Sequence, residues 1–240
     1  MQLPTLIRAT LIKRYKRLLA DVTLLDGQEM TVYCPNTGAM TGCAEPGSII
    51  WLSKSKNVKR KHRYTWELVE TPGNSLASIH SVNANMLAYE AIEAGVIVEL
   101  TGYDDIVREA KYGQENSRID LLLVNSNTQE KCFVEVKSVT LLANDNGLGV
   151  FPDAVSERAR KHLRELIYMK QQGHRAVLLF CVQHTGIKDV APADLIDSKY
   201  ADTFREAITQ GVEMLAYSAV ISLECIRLKK RLPLHERQLL

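Results

Sequence analysis

No Cys-x-x-Cys, no His-x-x-x-His and no Gly-x-Ser-x-Gly occurs anywhere in this 240-residue chain. Without the first two, the usual ligand spacings of a structural zinc site are missing. Without the third, a serine-hydrolase elbow has no anchor. Asn146-Gly147-Leu148-Gly149 is too short for a dinucleotide loop and opens no helical pattern. The five cysteines (Cys34, Cys43, Cys132, Cys181, Cys225) show no framework spacing, which suggests free thiols in a reducing cytoplasm. Long apolar runs are absent as well. The longest, Ala176 to Val182, has the length of a buried strand and falls far short of a membrane span. The N-terminus lacks the charged start and apolar core of a signal peptide. The expectation is a cytoplasmic protein with no membrane partner.

What is present is an ordinary globular mix, 46% hydrophobic and 24% charged. Its net charge of +2 is unevenly spread. Residues 1–70 carry 11 Lys or Arg against 6 Asp or Glu, a balance of +5, and the remainder carries 19 against 22, a balance of −3. A basic front suits a polyanionic partner.

The most informative stretch runs from Arg118 to Lys137. Two apolar runs rich in branched residues flank a polar turn, which predicts a β-hairpin. A two-residue turn at Asn127-Thr128 would set Asp120 opposite Glu135. By the period-two rule, Asp120, Glu135 and Lys137 would then share one face. Two carboxylates at cross-strand distance repel, and a shared proton or a divalent cation relieves them. The competing explanation is a solvated Glu-x-Lys sheet face. Against it, Leu121 to Val124 is apolar on both faces, so the strands read as covered by helices on both sides.

Residues 3–70 read as all-β, with strands over 3–25, 29–35, 47–55 and 61–70, suiting a small OB-type barrel. Nine basic residues there could follow a nucleic-acid backbone: Arg14, Lys16 and Arg17 on the first strand, then Lys54, Lys56, Lys59, Arg60, Lys61 and Arg63. Trp51, Tyr64 and Trp66 lie among or beside the second group, either to stack on bases or to fill the barrel. Cys34-Pro35-Asn36-Thr37-Gly38 reads as structural turn chemistry, with a small sugar or nucleotide the least favoured occupant. Thr71-Pro72-Gly73-Asn74-Ser75 predicts the boundary between domains 1–75 and 76–240. Beyond it, helices over 85–94, from Asp153 or Ser156 to about 172, and over 199–210 alternate with strands over 106–112, 175–183, 212–221 and 222–232. That order predicts an α/β sandwich.

After the strand over 106–112, an Asp on the first strand of the hairpin and Glu-x-Lys on its second resemble the PD-(D/E)XK nuclease superfamily, with Ile119-Asp120 in place of Pro-Asp. Over nearly the whole chain, Arg14-Tyr15-Lys16-Arg17, Cys34-Pro35-Asn36-Thr37-Gly38, Tyr64-Thr65-Trp66-Glu67, Ser117-Arg118-Ile119-Asp120, Phe133-Val134-Glu135-Val136-Lys137-Ser138, Phe151-Pro152-Asp153-Ala154 and Lys161-His162-Leu163-Arg164 resemble the sugar fermentation stimulation protein A family. The resemblance implies an N-terminal OB-like barrel and a C-terminal nuclease-like domain, its central mixed sheet flanked by helices. It also implies DNA binding without marked sequence preference and a regulatory link to maltose metabolism. Homodimerisation is left open. By the same resemblance Asp120, Glu135 and the Val136 carbonyl would hold Mg²⁺ or Mn²⁺, with Lys137 as the catalytic residue that orients the attacking water or offsets the developing negative charge. Glu90 on the first helix would add a further acid, and Glu109 is its rival. Glu157 and Lys161, four apart on the next helix, are either a surface ion pair or supports of the site, with Lys161 favoured; Arg158 and His162 are ambiguous.

Overall fold

A computed structural model describes residues 1–238. The last two residues of the expected second domain, 239–240, lie outside the described residues. The first sheet contains β1 (Leu6–Tyr15), β2 (Leu19–Leu24), β3 (Glu29–Tyr33), β4 (Ile49–Lys54), β5 (Tyr64–Thr71) and β6 (Ser75–Ser78), in the order β3-β2-β1-β4-β5-β6. A bridge between Tyr33 and Thr65 brings β3 to β5 and closes the barrel. Its interior is filled by Leu11, Ile50, Leu52, Val32, Val69 and Trp66. Trp66 is 0% exposed and donates its indole N–H to the Leu68 carbonyl, the polar handle a buried tryptophan needs.

Two sequence expectations change here. The single long first strand is a hairpin, turned at Lys16-Arg17-Leu18, where Lys16 and Arg17 both take left-handed φ values of 49° and 60°. No Gly, Asn or Pro marks that turn, so turn chemistry could not reveal it. Thr71 to Ser75, expected as the domain boundary, is the β5–β6 turn, and the chain leaves the first sheet only after Ser78.

The second unit begins with α1 (Asn83–Glu93), then β7 (Asp105–Tyr112), β8 (Ser117–Val124), β9 (Lys131–Val139), the short β10 (Leu141–Leu142) and β11 (Leu148–Phe151). Next come α2 (Glu157–Gln171), β12 (Arg175–Val182), β13 (Asp189–Pro192), α3 (Ser198–Thr209), β14 (Glu213–Ile221) and β15 (Ile226–Arg231). The main sheet is mixed, in the order β15-β14-β12-β9-β8-β7, with β9, β12 and β14 parallel. β12 is buried along both faces, as a strand covered by helices must be. On one face α1 packs Leu87, Ala88 and Ala91 against Leu121, Val134, Val136 and Leu179. On the other, α2 and α3 pack Leu163, Leu166, Tyr200 and Phe204 against Phe133, Leu178 and Phe180. The α2 stripe Ala159, Leu163, Leu166, Ile167 has helical spacing. Ser156 caps α2 by accepting from Ala159 N at 3.1 Å, which settles the choice between Asp153 and Ser156.

The barrel is fastened to this sheet. Ser78 N donates to the Gln183 carbonyl, Thr185 N donates to the Leu76 carbonyl, and Leu68 lies within the α1-side core. That seam carries the Asn36–Gly38 loop to the end of β9.

Candidate metal centre at the domain junction

The β8–β9 hairpin keeps the expected register, Leu121 opposite Val134 and Val124 opposite Lys131. Its turn is longer than two residues. Asn125 Oδ1 accepts from Asn127 N and Thr128 N, and Gln129 takes φ 62°. The β8–β9 ladder ends at Leu121/Val134, whereas β9 continues paired to β12 as far as Val139. A gap therefore opens between β8 and β9 where Asp120 stands.

Strict alternation also fails there. Ile119 belongs to the α2-side core and Leu121 to the α1-side core, although they are two residues apart. On β7, the facing residue Glu109 takes φ 54°. The local twist turns Asp120 into the gap. Its Oδ2 accepts the Val136 N–H at 2.7 Å, and its Oδ1 accepts from Asn85 Nδ2 of α1 at 2.7 Å. A strand residue projects its N–H and C=O to the same edge, so the Val136 carbonyl faces the same gap. Glu135 points to the α2 side, 1% exposed. Lys137 Nζ lies 2.6 Å from Glu135 Oε1 and 2.9 Å from His162 Nδ1, and His162 Nδ1 also reaches Glu135 Oε1. The acids are thus steadied from opposite faces of the sheet, one by Asn85 and one by His162. They do not share a common face, although Asp120 stands close enough at the break in the ladder to feel the charge of Glu135.

The electrostatics separate the two acids. Burial, then the charge of Glu135, raises the Asp120 carboxyl to about 7, against the opposing pull of Lys137, the Val136 N–H and Asn85. Burial is the largest influence on Glu135 and acts upward. Lys137 and His162 together outweigh it and hold Glu135 below the ordinary carboxylate range. Both partners crowd Oε1, leaving Glu135 Oε2 buried with no hydrogen-bond partner. A buried carboxylate oxygen without a donor is costly unless a cation faces it. The set of Asp120, Glu135 Oε2 and the Val136 carbonyl is all oxygen, which suits a hard divalent ion. No cluster of three or more His, Cys, Asp or Glu side chains is found among the described residues, so the third protein ligand would come from the backbone.

Several expected site residues lie elsewhere. Glu90 pairs with the Met1 amino group at 2.6 Å and is 41% exposed. At 100° per residue it sits about 140° around α1 from Asn85, which faces Asp120 instead. Glu157 pairs with Arg160 and Arg164 on the outer surface, not with Lys161. Lys161 lines the groove beside Asp120 but donates to the Glu115 carbonyl, and His162 reaches Glu135 in its place. Glu109 does line that groove. His162 was open to detection, since it falls on the apolar stripe with Ala159, Leu163 and Leu166.

In the barrel, Arg14 is turned inward. It donates to the carbonyls of Asn36 at 2.7 Å, Gly38 at 3.0 Å and Ala39 at 3.3 Å, stapling the loop rather than meeting a ligand. Lys16 and Arg17 occupy the turn instead of the strand and are exposed. Arg60 lies 4.8 Å over the Tyr33 ring and donates to Thr65. Lys54 stands over Tyr64 at 5.9 Å. Lys56, Lys59, Lys61 and Arg63 are exposed in the β4–β5 loop. Trp51 donates to Glu70 and packs against the α1-side core, so neither tryptophan is free to stack on a base. The stapled loop has a second consequence. Asn36, Thr37 and Gly38 roof a cavity of about 260 Å³ whose other wall includes Val136, Lys137 and Phe151. Gly38 is needed there, because a Cβ would come within 2.5 Å of Asp153 Oδ2.

A closed barrel joined to a helix-flanked mixed sheet, with an acid at the splayed end of one strand and Glu-x-Lys on the next, defines a two-domain protein of the PD-(D/E)XK nuclease-like class. Residues 12–79 match the family model described as the SfsA N-terminal OB domain, and residues 82–225 match the sugar fermentation stimulation protein RE domain. The chain belongs to the sugar fermentation stimulation protein family. It is 56% identical to the sugar fermentation stimulation protein homolog of Shewanella sp. (strain MR-4) over 96% of this chain and 97% of that one. The homolog of Teredinibacter turnerae is 58% identical with the same coverage. The structure of Pyrococcus furiosus SfsA in complex with Ca²⁺ superposes with a TM-score of 0.84 at 28% identity, covering 98% of each chain.

Proposed function

We propose that this protein is a nucleic-acid-binding, divalent-metal-dependent phosphodiesterase acting on DNA. The observation that carries the reading is the buried, unpartnered Oε2 of Glu135, next in sequence to Val136, whose N–H is held by Asp120 of the neighbouring strand. Asp120, Glu135 and that carbonyl would hold Mg²⁺ or Mn²⁺, which supplies charge stabilisation at the scissile phosphate and lowers the pKa of bound water. Lys137 keeps Glu135 ionised and sets a positive charge where negative charge develops. Asn85 and His162 fix the two acids in place. The Ca²⁺ reported for the Pyrococcus relative is compatible with an all-oxygen donor set. The setting we propose is the cytoplasm, where five unpaired thiols stay reduced.

Incubating the protein with single-stranded, duplex and branched DNA in Mg²⁺ or Mn²⁺ tests this. Wild type is expected to cut at least one substrate and Asp120→Ala to cut none; equal cutting by both, or none by either, ends the nuclease reading. The second reading is a sequence-nonspecific DNA-binding regulator, tied to sugar metabolism as the family description suggests, that keeps the fold without turnover. It is favoured by the lack of a third acid at the centre among the described residues.

A further inference from the structure

We propose that the principal nucleic-acid contact is a basic groove on the nuclease-like domain, formed by Lys111 and Arg118 of the β7–β8 hairpin and Arg158 and Lys161 of α2. The phosphodiesterase reading explains why a strand should pass Asp120, and the inference rests on it for that alone; binding is separable from turnover. The four cations line, with Glu109 and Asp120, an open groove of about 780 Å³. Lys111, Arg118 and Arg158 are exposed. Neither the Lys111 nor the Arg158 side chain makes a hydrogen bond or ion pair among the described residues. Arg118 has only a 3.4 Å contact with the Glu109 carbonyl, and Lys161 donates a hydrogen bond to the neutral carbonyl of Glu115. None of the four charges is cancelled by a carboxylate partner.

The rest of α2 is treated differently. Arg160 pairs with Glu157 and Asp197, and Arg164 pairs with Glu115 and Glu157. The helix pairs Arg160 and Arg164 with carboxylates and leaves Arg158 and Lys161, which line the groove, without one. Four cations against two carboxylates leave an excess of two positive charges, before any divalent ion on Asp120 is counted. With Asp120 in the groove wall, cations flanking it suit the phosphates on either side of the scissile one. Such contacts position a strand without reading its sequence.

Fluorescence anisotropy with labelled single-stranded and duplex DNA of about 20 nucleotides, in EDTA so that hydrolysis does not intrude, tests the assignment. Removing two phosphate contacts flattens the slope of log K against log salt by about 1.4 on single strands and 1.8 on duplex. The Lys111→Ala/Arg158→Ala double variant is expected to show that change and roughly tenfold weaker binding at moderate salt. Its thermal midpoint should stay unchanged, since neither side chain has a partner to lose. Lys56→Ala/Lys59→Ala in the barrel loop is expected to change affinity by less than about threefold. Wild-type affinity and slope in the groove variant, the larger loss in the loop variant, or no binding by the wild type would each overturn the proposal. Lost binding in the groove variant alongside a wild type that never cuts DNA would retain the groove and remove the phosphodiesterase.

Discussion

Glu135→Ala is expected to unfold at a midpoint about 6–20 °C below wild type, the largest loss for any single change at the centre. The carboxylate it removes is almost fully buried and is the anion for both Lys137 and His162, themselves largely buried. Breaking a buried pair from one side strands the remaining charge, at about 3–5 kcal/mol. Glu135→Gln separates stability from chemistry. The amide oxygen can still accept from Lys137 and fills the same space, so part of the fold stability should return. The ionised Oε2 does not return, so divalent-ion binding should remain lost. Thermal scans with and without Mn²⁺ read both effects. An alanine variant as stable as wild type would mean that Lys137 and His162 do not depend on Glu135.

Asp120→Asn should do the opposite in the metal-free protein. Because the folded-state carboxyl is raised to about 7 from the ordinary 3.8, the native state holds this proton more tightly than the unfolded chain. The stability it contributes is fully present below about pH 4 and is lost as pH rises through about 7. At pH 8 wild type therefore carries a penalty of roughly 2–4 kcal/mol that the amide does not. Metal-free Asp120→Asn is expected to be the more stable protein at pH 8 and no more stable than wild type near pH 4. Mn²⁺ should reverse the ranking at pH 8. A ligand at a thousand times its Kd adds about 4.1 kcal/mol to a protein that binds it and nothing to one that does not, which exceeds that penalty. Metal affinity of the wild type should rise about tenfold per pH unit up to about 7 and then level. If the two proteins keep the same stability difference from pH 4 to 8, Asp120 is not the buried, repelled acid described above.

Much of this centre was legible in the sequence because the β8–β9 hairpin carries strong signals. Branched apolar runs, an Asn-Ser-Asn-Thr turn and Glu-x-Lys fixed the strands, their register and the pairing of Glu135 with Lys137. Parity was not enough for Asp120. The end of the ladder and the left-handed Glu109 are backbone events that side-chain periodicity does not record. Glu90 stood out on the first helix as an acid, whereas the helix presents the amide of Asn85 to Asp120. The small sheet β10-β11-β13 escaped notice because strands of two to four residues carry no usable period. In the barrel, basic residues and tryptophans looked alike in sequence. Burial separates them, Trp66 and Arg14 serving the fold and Lys56 to Arg63 standing mostly in solvent.

The most direct test of the centre is an anomalous difference map from a crystal soaked in Mn²⁺. A peak within about 2.0–2.6 Å of Asp120, Glu135 Oε2 and the Val136 carbonyl is the predicted result. A map with no peak there, and the Lys137 ammonium still seated on Glu135, would contradict the account.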